Sequence, residues 1–165
     1  MAFELVESFE TTGGASSITI SGIPTDARHL FLEMQLRSNQ NTSQNECYMT
    51  FNSSAQSYYQ RRLNVTSSTS VNYYSDTNTS NLNIRQIGST YSGEFTQSTM
   101  YIYDYGTSKY KTYEFWHSEM YAGSTGQLRI GSGTWFETAP ITSITLTDPS
   151  STFASGVSIN LYKIY

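Results

Sequence analysis

The chain has 165 residues, enough for one domain (1–165) with a sizeable core and too few for two comfortable ones. Charged residues make up only 13% of it, against roughly 25% in ordinary globular chains. Its net charge of -4 leaves no basic stripe to neutralise phosphates, which excludes nucleic acid as an expected partner.

In chain order, Phe3 to Phe9 places Phe3, Leu5 and Val6 in a short first strand that Thr11-Thr12-Gly13-Gly14 ends. Ile18 and Ile20 share one face of a second strand, and Gly22-Ile23-Pro24 breaks it, because proline cannot donate to a ladder. Leu30, Leu32, Met34 and Leu36 then alternate with His29, Phe31, Glu33, Gln35 and Arg37, a period of two that disfavours a helix. After a polar loop, Glu46 to Phe51 is expected to return as the partner strand, with Cys47, Met49 and Phe51 inward. A lone cysteine excludes an internal disulfide, so Cys47 reads as a small buried hydrophobe.

Tyr58 to Val65 has strand composition, with Arg61 and Arg62 on opposite faces. Ser67 to Asn81 is of low complexity and reads as a long polar insertion, mobile in the isolated subunit and ordered on a partner. Leu82, Ile84 and Ile87 re-enter the fold. Glu94 to Tyr121 carries large side chains on both strand faces, so a second layer or subunit is expected to cover the face turned from the core. Gln127 to Glu137 reads as a strand with Leu128 and Ile130 inward and a kink at Gly131-Ser132-Gly133. Ile144/Leu146 and Val157/Ile159/Leu161 mark two last strands, read as the closing pair of a sandwich. The sum is about ten short strands without a 3.6-residue period, the pattern of an all-β antiparallel sandwich or jelly roll.

The N-terminus lacks a basic region followed by an apolar one, and no run approaches membrane-spanning length, so a soluble protein made in a cytoplasm and no membrane partner are expected. Asn-x-Ser/Thr triplets at Asn41, Asn52, Asn64 and Asn78 reflect composition rather than glycosylation. His29 and His117 sit in strand contexts beside no recognisable nucleophile, and one cysteine with two distant histidines offers no metal spacing. The reading is therefore non-enzymatic, without cofactor or metal. Most of Tyr101, Tyr103, Tyr113 and Tyr162 are assigned to core and sheet packing. Tyr58, Tyr59, Tyr73 and Tyr74 lie in or beside polar segments and, with Arg61, Arg62 and Asp76, are the candidate partner-contact residues.

The Gly13-Gly14-Ala15-Ser16-Ser17-Ile18 start, the run Tyr58-Tyr59-Gln60-Arg61-Arg62-Leu63, the segment Ala139 to Leu146, and the endings Phe153-Ala154-Ser155-Gly156 and Leu161-Tyr162-Lys163-Ile164 together resemble small virion structural proteins of tailed bacteriophages. The resemblance implies a jelly-roll or sandwich module that decorates capsids or forms head fibres and tail appendages, commonly as a homotrimer. It carries no catalytic residue across. Two functions follow as expectations: a capsid decoration (cement) protein of the virion that binds the major capsid protein, and a carbohydrate-binding receptor module of a tail or fibre recognising a surface glycan. A hydrolase is a distant third.

Overall fold

The computed structural model describes residues 2–53, 57–66, 70–88, 90, 93–121 and 125–165. Among these there is no helix. The strands are β1 (Phe3–Glu10), β2 (Ser17–Ser21), β3 (His29–Leu36), β4 (Gln44–Phe51), β5 (Tyr58–Thr66), β6 (Val71–Thr79), β7 (Leu82–Ile87), β8 (Thr96–Ile102), β9 (Lys111–Tyr121), β10 (Thr125–Trp135), β11 (Ser143–Thr147) and β12 (Ser158–Ile164). They form two antiparallel sheets, one of order β1-β12-β3-β8-β9-β10-β5-β6 and one of order β2-β11-β4-β7. The protein is a β-sandwich.

Four pairings explain the order: β1 with β12, β2 with β11, β3 with β8 and β4 with β7. They nest inside one another like a long hairpin folded over itself, which is the jelly-roll arrangement. Two hairpins are inserted between the nested pairs. β5–β6 follows β4 and β9–β10 follows β8, and together they add the four strands β9-β10-β5-β6 to one sheet.

The core lies between the sheets and follows from alternation. Leu30, Leu32 and Leu36 of β3, with Ile159 and Leu161 of the adjacent β12, face Cys47, Met49 and Phe51 of β4 and Ile144 and Leu146 of β11, all buried. Truncating any one of these leucines to alanine costs about 2–5 kcal/mol. Beside this aliphatic layer, Tyr58, Tyr113 and Trp135 join Phe51 in an aromatic cluster, with Phe51 and Trp135 edge-on at 5.5 Å. The loop joining β11 to β12 is pinned by Asp148, whose buried carboxylate accepts hydrogen bonds from Ser38 Oγ at 2.6 Å, Asn45 Nδ2 at 2.8 Å and the backbone N–H groups of Ser150 and Ser151.

Among the described residues the strands number twelve, close to the ten or so expected. Several expectations are corrected. β11 and β12 do not pair but lie in opposite sheets, and β4 likewise faces β3 across the core and pairs with β7 and β11. The Ser67–Asn81 segment is not a loop: from Val71 to Thr79 it is an edge strand laddered on β5, because a partner strand can order even a Ser/Thr/Asn-rich run. Residues 67–69 of it lie outside the described residues. Leu128 and Ile130 face outward, since buried Arg129 takes the inner side of β10. Gly131 and Gly133 make no kink: β10 keeps unbroken register with both neighbours, and a Cβ at either position would collide with the ring of Phe115 or Tyr113.

Candidate functional site

The outward face of the large sheet holds the exposed chemistry. Cross-strand register aligns Asn160, Glu33, Thr99, Trp116, Ile130, Leu63 and Tyr73 in one row from β12 to β6. The next row runs Ser158, Gln35, Gln97, Ser118, Leu128, Val65 and Val71. The face therefore changes character along each row, from carboxylate, amide and hydroxyl groups over β12, β3 and β8 to aliphatic and aromatic groups over β10, β5 and β6. Trp116 stands at the boundary with 57% of its surface exposed.

Three shallow clefts lie on this face. One, of about 380 Å³, is bounded by Glu33, Gln35, Gln97, Trp116, Leu128 and Asn160. A second, of about 340 Å³, lies between Tyr59, Arg61, Tyr103, Glu114 and Thr134. The third, of about 400 Å³, is floored by Leu63, Tyr73, Trp116 and Ile130 and flanked by Arg61 and Glu114. Nearer β1, Phe3, Phe31 and Tyr162 pack edge-on or tilted at 6.0–6.4 Å and stiffen the far end of the face.

The seven candidate partner-contact residues divide between the two faces of the β5–β6 hairpin. Tyr59, Arg61 and Tyr73 point outward, with Tyr73 60% exposed and Tyr59 packed edge-on against Phe136 at 4.8 Å. Tyr58 is a correction: it is fully buried, its hydroxyl accepts the Phe51 N–H at 2.8 Å, and it stacks on Trp135. Burial raises that phenol to about 12. Arg62 faces inward, pairs with Asp76, and lies 5.1 Å over the half-exposed Tyr74 ring. Among the remaining tyrosines, Tyr113 is buried as expected, while Tyr101, Tyr103 and Tyr162 lie half-exposed on the outward face.

The inward face of the added strands holds a polar array that the sequence reading missed. Ser98 Oγ lies 2.7 Å from His117 Nδ1, and His117 Nε2 lies 3.8 Å from Glu119. Glu119 accepts a hydrogen bond from Gln44, Gln44 accepts one from Arg85, and Arg85 pairs with Glu46 at 3.6 Å. Glu46 accepts from Asn83, whose backbone N–H and C=O both meet the Gln60 amide, and Gln60 in turn accepts from Arg62. The Gln60 amide thus stands in for a neighbouring strand at the open edge of β7. Arg129 lies buried among these groups, and its charge and that of Arg85 oppose protonation of His117. Burial is the largest cause and holds the His117 imidazole below its ordinary range, while the Glu119 carboxylate, 3.8 Å away, offsets only part of it.

Ser98, His117 and Glu119 have the residue types of a nucleophile, base and orienting acid. All three are at most 5% exposed and turned into the sandwich, so the geometry suits a structural network. Strict continuation of the alternation from Tyr113 and Phe115 puts His117 and Glu119 inward and Trp116 outward, and that period was the available signal. Among the described residues no three histidine, cysteine or acidic side chains cluster as metal ligands. Cys47 is buried, which pushes its thiol far above the reactive range. No protein-family model matches the chain, and no curated protein sequence is significantly similar to it.

Proposed function

We propose that the chain is a non-enzymatic structural protein of a tailed-phage virion, a decoration (cement) protein that binds the major capsid protein shell as a homotrimer. The observation that carries this reading is the apolar end of the outward face: Leu63, Val65, Val71 and Tyr73 are 37–62% exposed on adjacent strands. Isolated exposed hydrophobics are ordinary, but four in register on an edge hairpin make a patch of the kind that another protein covers. Strand β6 adds an open ladder edge, to which a neighbouring strand can pair. The polar side chains of Arg61 and Ser75, paired beside the patch on the same face, fit the usual anatomy of such a contact. The resemblance to phage virion proteins supplies the particle and the trimer.

Light scattering on the purified protein is expected to give three times the 18.6 kDa chain mass, and L63D/Y73S is expected to give the monomer at unchanged melting temperature. Stripped capsids should bind the wild type and not the double variant. A monomeric wild type that leaves capsids bare overturns the reading.

A further inference from the structure

We propose that the cleft centred on Trp116 is a binding site for a neutral glycan chain, an activity beyond shell decoration. Two adjacent side-chain rows build it, and it crosses five strands from β12 to β10, four inter-strand spacings of ~4.8 Å or ~19 Å in all. That length accommodates several sugar rings end to end.

The lining selects the ligand class. Trp116 presents a flat, exposed ring, the surface on which the C–H face of a pyranose stacks, and Leu128 extends that apolar strip. Around it stand the amides of Gln35, Gln97 and Asn160 and the hydroxyls of Thr99 and Ser118, groups that both donate and accept as sugar hydroxyls do. Among the described lining residues the single charge is the Glu33 carboxylate, an acceptor for paired hydroxyls. With no lysine or arginine among its described lining residues, the cleft disfavours polyanions, and its amide-rich lining is too polar for a lipid or an apolar peptide.

Two of the polar groups are already oriented. Tyr162 donates to Glu33 Oε2 at 3.2 Å, and Ser8 donates to Asn160 Oδ1 at 2.7 Å, so less side-chain freedom is lost on binding. A lone carboxylate cannot supply the acid and base or nucleophile of glycoside hydrolysis, so the cleft holds the chain without cutting it.

The two tryptophans make the test direct, because Trp135 is buried and Trp116 alone faces solvent. On an array of immobilised neutral hexose and N-acetylhexosamine oligosaccharides, the wild-type protein is expected to bind a subset. Titration with a soluble member of that subset should shift the tryptophan emission to the blue. W116A should weaken binding about tenfold or more, as expected for losing one stacking ring, E33Q and Q97A should weaken it less, and W116Y should keep most of it. W116Y also serves if W116A fails to fold. Absence of binding to every neutral glycan at millimolar concentration, unchanged affinity in folded W116A, or binding confined to sulfated or sialylated chains each overturns the proposal.

Discussion

Gly133 has rigid neighbours on the inner side of β10. A Cβ there would strike the Tyr59 carbonyl oxygen and the Tyr113 hydroxyl, and Tyr113 is itself fixed by donating that hydroxyl to Tyr59 O at 2.8 Å. The carbonyl cannot yield without disturbing the β5–β10 ladder, and the hydroxyl cannot move without giving up its hydrogen bond. G133A is therefore expected to cost about 1–3 kcal/mol, read as a loss of about 2–4 °C of melting temperature per kcal/mol. His117 gives a pH signature. Its neutral form is favoured inside, among Ser98, Glu119, Arg85 and Arg129, so the unfolded chain binds more protons once the pH drops below the ordinary imidazole value of about 6.5. Stability then falls as pH is lowered through that value and is fully present above it. Melting curves from pH 8 to pH 5 should show the fall, and H117Q should flatten it.

At the level of elements, the Gln60 amide bonds to both backbone groups of Asn83, so β7 is an edge closed by a side chain. Q60E keeps an acceptor for the Asn83 N–H but loses the donor to its carbonyl. It is expected to cost about 1–3 kcal/mol, with hydrogen exchange rising first at β7 amides. The elements differ in how far the sequence announced them. β3 and β4 were legible because each buries one clean face, Leu30 to Leu36 and Cys47 to Phe51. β6 was not, because all but two of its residues are exposed and its Ser/Thr/Asn content hid a strand ordered by pairing with β5. Leu128 and Ile130 were misplaced for a related reason: in β10 a charged residue, Arg129, is buried and the aliphatics are not, reversing the usual inference from hydrophobicity. Of the candidate contact residues, Arg61 and Arg62 lie on opposite faces as the period of two required and Tyr59, Tyr73 and Tyr74 are exposed, whereas the side of Tyr58 depended on where Trp135 lay in space.

Across the whole molecule, charge is used sparingly and clasps the β1 edge. Lys163 on β12 reaches Glu4 at 3.1 Å and Asp26 at 3.2 Å, and Tyr165 donates to Glu4 at 2.9 Å. Glu4 is held below its usual range chiefly by the Tyr165 hydrogen bond and then by Lys163, and Asp26 chiefly by Lys163. Both depressed carboxylates contribute fully above the ordinary carboxylate range, and that contribution is lost as acid protonates them in the folded state. Acid should therefore loosen β1 before the core, and K163M should weaken that acid sensitivity; hydrogen exchange at β1 amides between pH 6 and pH 3 checks both.

The nested pairing of β1 with β12 and β2 with β11 also dictates when the molecule can form. Each outer pair joins segments more than a hundred residues apart, whereas the inserted β5–β6 and β9–β10 hairpins close locally. Closing the long loops costs entropy before any distant contact repays it, so these hairpins have the head start and the outer pairs come last. During synthesis β3 must wait for β8, and β1 for β12, with apolar faces uncovered meanwhile. Slow maturation, over milliseconds to seconds or longer, and sensitivity to crowding by sister chains are the kinetic cost of a sandwich whose first strand is partnered by its last.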